Sequence, residues 1–312
     1  MDYFYLILGF IVLLISGDLL VKSGVALSSH FRVSTLVIGV TIVSFGTSLP
    51  ELVVSISAAL KDLPDIAVGS VVGSNIANIA LVLGFTAILI NVPVQKGSIR
   101  FDWPVMMFAS LLFYLFIING RISFREGIIF IFMLAGFIYW SIRKSREELS
   151  LIGHIFAKAR FSIPVSVLLL LVSSAGLYFG ATWLVDSAES IAIRLGVSER
   201  VISVSIIAFG TSLPELATSF MAAVKKQLDI SIGNIIGSNI FNIFGIIGIT
   251  SIIKTLPVGS DMVRDVYWML AISILLFFLM LLPLKMASSI SRREGILLLI
   301  VYALFIFLVF RS

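Results

Sequence analysis

Two glutamates, Glu51 and Glu215, each close a Gly-Thr-Ser-Leu-Pro-Glu hexapeptide, at Gly46–Glu51 and Gly210–Glu215. Each copy lies inside a stretch otherwise apolar enough to cross a membrane. A carboxylate near the bilayer centre costs on the order of 3 kcal/mol on the insertion scale. Such residues persist where they face a polar cavity, and there they commonly bind a substrate. The Gly and Pro beside them act in the same direction, because they interrupt a helix and free backbone groups at mid-depth. A second polar block follows each hexapeptide. The first carries Gly69, Gly73, Ser74, Asn75 and Asn78; the second carries Gly233, Asn234, Gly237, Ser238, Asn239 and Asn242. Ser74 and Asn78 are four apart and share one helix face.

Carboxylates, hydroxyls, amide carbonyls and freed backbone carbonyls are all hard oxygen ligands. They suit calcium, or sodium of similar size, far better than zinc or copper. Calcium takes about six to eight oxygens; the two glutamates supply up to four and neutralise its charge. Magnesium, which keeps its water shell, fits such a cage poorly. His30 and His154 fall in loops, and the absence of cysteine excludes disulfides, thiolate metal sites and thiol nucleophiles. No phosphate-cradling motif occurs, so ATP does not drive transport and coupling to a second cation gradient remains. An intramembrane enzyme using Glu51 and Glu215 as an acid/base pair is the alternative of another class, and it lacks the Asp-rich or His motifs such enzymes use. A channel is a further alternative, disfavoured by two related sites at mid-depth.

Some of these residues also have purely structural readings. Ser48 to Glu51 fits a capping box, with Ser48 as N-cap and Glu51 reaching back to its amide. Gly69/Gly73 and Gly233/Gly237 fit close helix packing. Asp18 and Lys22 form a helix-surface pair or an access gate, and Asp186 stands at the repeat position of Lys22. Asp65 and Asp229 open their helices as dipole partners.

The elements that must position this chemistry follow from composition and repetition. With 59% hydrophobic and 12% charged residues and a mean hydropathy of +1.14, the chain is an all-α polytopic membrane protein. Apolar windows of roughly 20 residues fall near 3–28, 34–60, 65–91, 103–119, 125–142, 163–191, 200–224, 229–253, 266–284 and 294–310. The first lacks a basic lead and a cleavage site and reads as retained. Residues 41–56 match 205–220, and 63–78 match 227–242, at an offset of 164. One transport domain therefore comprises a first repeat at 1–142, a cytoplasmic linker at 143–162 and a second repeat at 163–312. Five spans per half, an odd number, inverts the second half relative to the first. With the linker inside, thirteen Lys and Arg face the cytoplasm against eight outside, which puts both termini outside. The excess positive charge needs no nucleic acid to explain it. The surrounding partner is the lipid bilayer, and nothing implies an obligate protein partner or a cofactor.

The paired GTSLPE and G-[SN]-x-x-G-S-N-I-x-N blocks, which recur in both halves, resemble the alpha repeats of the sodium/calcium exchanger family, within the calcium/cation antiporter superfamily. The likeness covers essentially the whole chain and has the prokaryotic form, without a large regulatory loop. It implies ten transmembrane helices in two inverted five-helix repeats, and alternating access in which the first and sixth spans slide over the ion-holding core. It implies a cell (inner) membrane location and calcium and sodium as transported ions. It carries ligands onto Thr47, Ser48, Glu51, Ser74 and Asn78, and onto Thr211, Ser212, Glu215, Ser238 and Asn242. Ser44 and Ala208 resemble sodium ligands through their backbone carbonyls. Some members, notably potassium-dependent ones, have aspartate where Asn242 stands, so the resemblance implies potassium independence. Proton coupling is the alternative to sodium coupling.

Overall fold

The computed structural model describes residues 1–151, 156, 158–196, 210–281 and 289–311. Helix α1 (Asp2–Phe31) ends at Arg32, whose left-handed backbone (φ 55°) turns the chain. Helix α2 (Thr35–Thr47) begins under the Ser34 hydroxyl, which accepts from the Val37 amide at 3.2 Å. A 45° bend separates α2 from α3 (Leu49–Leu60). The bend has a local cause. Pro50 has no N–H to give the Gly46 carbonyl, and Ser48 leaves helical geometry at φ −88°, ψ 3°. There follow α4 (Pro64–Leu89), α5 (Ser98–Ile117), α6 (Phe124–Leu151) and α7 (Ile163–Arg194). The remaining helices among the described residues are α8 (Leu213–Val224), α9 (Leu228–Ile253), α10 (Ser260–Leu281) and α11 (Arg292–Arg311).

Seven of the described helices are long and apolar enough to cross a membrane: α1, α4, α5, α6, α7, α9 and the Met262–Leu281 part of α10; the bent α2–α3 pair makes an eighth. The window expected at 200–224 is described only from Gly210 onward. The window expected at 294–310 is α11, which opens on Arg292, Arg293 and Glu294. The expected linker starts differently from its sequence reading. Helix α6 continues through Arg143–Glu148 to Leu151, because Arg143–Glu147 (2.9 Å) and Lys144–Glu148 (3.9 Å) pair one turn apart and support the helix.

Helices α4 and α9 form the centre. Of their most apolar windows, 72% and 89% of residues are buried, against 22–39% for the other spans. The largest apolar cluster surrounds them, with Val71, Ile76, Ile235 and Ile240 from the two central helices and Phe113, Phe130, Val266 and Leu298 from the flanking ones. Gly233 and Gly237 bring α9 against α2. A Cβ on Gly233 would lie 2.8 Å from the Leu36 carbonyl oxygen, and one on Gly237 would lie 2.5 Å from Val40 Cα. Close packing is therefore the role of this Gly-x-x-x-Gly. The first-half pair differs. Among the described residues a Cβ on Gly69 meets Met262 Cε at 3.3 Å, and one on Gly73 meets nothing within 4 Å. Residues 203 and 204, the repeat counterparts of Gly39 and Val40, lie outside the described residues.

Outside the centre, α1 and α7 pack on each other through small residues. A Cβ on Gly9 would sit 2.7 Å from the Gly180 carbonyl oxygen, and one on Gly180 would sit 3.0 Å from that of Gly9. Four two-residue strands join the loops crosswise. Strand β1 (Val92–Pro93) pairs with β4 (Ser289–Ile290), and β2 (Arg121–Ile122) pairs with β3 (Leu256–Pro257), both antiparallel. The registers Val92↔Ile290 and Ile122↔Leu256 are repeat-related, so each half lends the other the same strand. Ion pairs tie Asp2 to Arg194 (2.8 Å) and Asp62 to Lys254 (2.6 Å).

Candidate cation site

The two hexapeptides meet where α3 and α8 begin. Pro50 and Pro214 stand in the first turns of these helices, and Ser48 and Ser212 precede them with near-identical backbones, φ −88°, ψ 3° and φ −91°, ψ 2°. Glu51 and Glu215 therefore sit in equivalent first turns, 1% and 0% exposed, and their carboxylates interact electrostatically with each other. The capping box expected at Ser48 is not formed: Ser48 makes no side-chain cap bond, and its hydroxyl donates instead to Glu215 Oε1 at 3.3 Å. A side chain placed to cap its own helix serves the other half's carboxylate.

Further cross-links join the halves around these carboxylates. Thr47 Oγ1 lies within hydrogen-bond distance of Ser238 Oγ (3.3 Å), Asn234 Oδ1 (3.1 Å) and the Ser44 carbonyl (3.2 Å). Ser74 Oγ donates to Thr211 Oγ1 at 3.5 Å. The Ser44 carbonyl also accepts the Ser48 amide at 2.9 Å, while the Ser44 hydroxyl donates to the Gly39 and Asn234 carbonyls at 2.6 and 3.2 Å. Asn78 and Asn242 follow one turn after Ser74 and Ser238, at the start of mid-helix π-type turns (Asn78–Leu83 and Phe241–Ile247). Such turns recur at functional sites, because one widened turn re-aims the side chains and backbone groups around it. Ser212 is buried beside the break and its hydroxyl has no hydrogen-bond partner. The expected position at Ala208 lies outside the described residues.

Three residues carry more than the sequence pattern assigned them. Asn75 and Asn239 face each other across α4 and α9. The Asn75 amide donates to the Asn239 carbonyl, and that of Asn239 to the Asn75 carbonyl, each at 3.3 Å. Asn234 receives Thr47 and donates to Ser219 Oγ at 3.1 Å. Their signal was present in the repeat, since Asn75 and Asn239 are 164 apart; what the pattern lacked was the direction in which each amide points.

The chemistry of the pocket follows from what is left unpaired. Glu51 Oε1 and Oε2, Glu215 Oε2, Asn78 Oδ1 and Asn242 Oδ1 are buried without a hydrogen-bond partner. Leaving such acceptors unmade is costly unless a cation takes them. All are hard oxygens, two of the groups are carboxyls able to carry charge, and no His, Asp or Glu cluster of three or more exists among the described residues. The donor set fits a calcium ion or sodium ions as cargo.

The chain matches the family described as sodium/calcium exchanger protein over residues 1–143 and 165–311. The chain belongs to the sodium/calcium exchanger family. Among relatives of the exchanger, the inner membrane protein YrbG of Escherichia coli is 33% identical, over 94% of this chain and 92% of its own length. The sodium/calcium exchanger MaX1 of Methanosarcina acetivorans is 28% identical over 99% and 98%. Among solved structures, the sodium-calcium exchanger NCX_Mj, soaked with 2.5 mM Na+ and 0.1 mM Ca2+, superposes with a TM-score of 0.81 at 32% identity, over 97% of this chain and 96% of that one. The exchanger is thus an integral membrane cation antiporter of the calcium-transporting kind, and not an enzyme.

Proposed function

We propose that the exchanger moves calcium against sodium by alternating access, with Thr47, Ser48, Glu51, Ser74, Asn78, Thr211, Ser212, Glu215, Ser238 and Asn242 as side-chain ligands and Ser44 and Ala208 as carbonyl ligands. The observation that carries this reading is the fully buried Glu51–Glu215 pair, ringed by acceptor oxygens without partners. Two carboxylates balance one calcium. The extra oxygens around Thr47, Ser44 and Ser238 give sodium ions separate places, and three sodium ions per calcium is the stoichiometry the family resemblance suggests. Burial from both faces favours alternating access over an open pore.

In this reading ten helices form two inverted halves in a prokaryotic inner membrane, with both termini outside. The crosswise strands support it. Inversion places the loops of β1 and β4 on one face and those of β2 and β3 on the other, which is how they pair. The Asp2–Arg194 and Asp62–Lys254 pairs also join residues that this topology puts on one side.

Calcium-45 uptake into sodium-loaded proteoliposomes tests the function. Three-for-one exchange moves one positive charge outward per cycle, worth about 2.3 kcal/mol per 100 mV, so an inside-positive potential set with valinomycin should speed uptake. Uptake indifferent to voltage would count against this stoichiometry. Uptake driven by a pH gradient without sodium would replace sodium with protons as the coupling ion. With Asn at 78 and 242, potassium should not be required, and Asn242→Asp should be the change that most alters cation preference.

A further inference from the structure

Four asparagines at the α4–α9 crossing, Asn75, Asn78, Asn239 and Asn242, are each no more than 1% exposed. Their amides form two short chains that begin on the backbone. In one, Asn75 Nδ2 donates to the Asn239 carbonyl (3.3 Å), and Asn75 Oδ1 accepts from Asn242 Nδ2 (3.0 Å). In the other, Asn239 Nδ2 donates to the Asn75 carbonyl (3.3 Å), and Asn239 Oδ1 accepts from Asn78 Nδ2 (3.1 Å). Each chain ends in an oxygen without a partner, Asn242 Oδ1 and Asn78 Oδ1.

A backbone carbonyl only accepts, so it fixes which end of the first amide faces it, and that amide fixes the next. The second protons of Asn75 and Asn239 point to Met269 Sδ (3.5 Å) and Met106 Sδ (3.6 Å), which also only accept. Reversing Asn242 would set its oxygen against Asn75 Oδ1. Reversing Asn75 as well would set an oxygen against the Asn239 carbonyl. Neither arrangement has a proton to share.

We infer that Asn75 and Asn239 are positioning residues that lock the amides of Asn242 and Asn78 with only their oxygens offered to the transported cation. An amide that turned over would present two N–H donors to a positive ion. Locking holds the oxygens ready before the ion arrives, so ion binding need not first turn the amides around. The inference rests on the reading of Asn78 and Asn242 as ligands.

A double-mutant cycle on the purified full-length exchanger tests it, with calcium binding measured by calcium-45 equilibrium dialysis in sodium-free detergent solution. Asn75→Ala should weaken calcium binding about tenfold or more, as loss of a group that orients a metal ligand does. A carboxylate has oxygens at both ends and needs no orientation. In an Asn242→Asp background, where a carboxylate oxygen faces Asn75 Oδ1 with no proton between them, Asn75→Ala should therefore not weaken calcium binding by more than about twofold, the margin within which independent sites add. Equal losses in both backgrounds, or no loss in the first, would overturn the inference. Asn242→Ala separates it from the reading beneath: unchanged calcium binding there removes Asn242 as a ligand, whereas weakened binding with an additive cycle removes only the locking. If Asn75→Ala does not yield folded protein by size exclusion and thermal melting, Asn239→Ala with Asn78→Asp reads the mirrored chain by the same criteria.

Discussion

Helix α1 against α8 and helix α7 against α3 are repeat-related, yet among the described residues only the first contact is built with charge. Gly17 lets α1 approach until a Cβ there would lie 3.0 Å from the Ala217 carbonyl oxygen. Beside it, Asp18 pairs with Lys22 of its own helix (2.5 Å) and with Lys225 at the end of α8 (3.3 Å). The corresponding residues of the other half are Ala181, Thr182, Asp186 and Lys61. Thr182 turns its hydroxyl back to the Tyr178 carbonyl (3.0 Å). Asp186 and Lys61 are exposed and form no ion pair among the described residues. The hexapeptides are duplicated closely, as the proposed site requires: two half-sites that share one cargo must each supply a carboxylate. The flanking contacts supply none of the ligands of the proposed site. They are free to diverge, and a charged clasp on one side only makes the two ends of the molecule unequal in energy.

The largest expected effect lies at the shared centre. Glu51 and Glu215 differ in local bonding, since Ser48 reaches Glu215 alone. If the centre works as one site, that difference is immaterial. Glu51→Gln and Glu215→Gln should each reduce sodium-driven calcium uptake at least a hundredfold, because removing one member of a buried charge pairing costs about 3–5 kcal/mol. Both variants should elute as folded protein. Near-normal calcium-45 uptake by either one would show that the halves do not share the cargo equally.

Much of this was legible in the residues. Repetition at 164 located both glutamates and both polar blocks, because a duplicated pattern marks equivalent positions in the two halves. Three things were not legible, each for a physical reason. Ser48 fits a capping box by spacing, and only the approach of the second half reveals Glu215 as its partner. Residues 143–151 read by composition as the start of a polar linker, and their continuation of α6 was not legible, because charges of opposite sign four apart stabilise helix as readily as they mark a loop. The two Gly-x-x-x-Gly copies look alike in sequence. Gly233 and Gly237 touch α2, while nothing among the described residues comes within 4 Å of a Cβ on Gly73.

Packing at the centre provides a second, smaller test. Gly237→Ala would place its methyl 2.5 Å from Val40 Cα, which no side-chain rotation relieves. Overpacking of this kind costs about 1–3 kcal/mol. The thermal midpoint in detergent should fall, and calcium uptake should fall with it, because α2 carries Ser44 and Thr47. Gly136→Ala on α6 is the control, since a Cβ there meets nothing within 4 Å and alanine favours helix. A Gly237→Ala protein as stable as that control would mean that α2 and α9 can separate without loss.

The smallest expected effect bears most directly on the unequal flanks. Lys225 is 45% exposed and Asp18 is 19% exposed, so solvent screens their pairing and its worth is at most about 1 kcal/mol. Lys225→Ala should therefore change the maximal exchange rate by no more than about fivefold. Half-saturating calcium should stay the same, because the clasp holds helices and not ions. The change should shrink at high ionic strength, as it must for a partly exposed pair. Lys61→Ala, at the repeat-related position, should leave rate and affinity alike unaltered. Equal effects from the two lysines in calcium-45 exchange would place the asymmetry elsewhere. A shift in half-saturating calcium with Lys225→Ala would instead make Lys225 part of the ion's own path, since a group that only holds α1 to α8 has no means of discriminating between bound and free calcium.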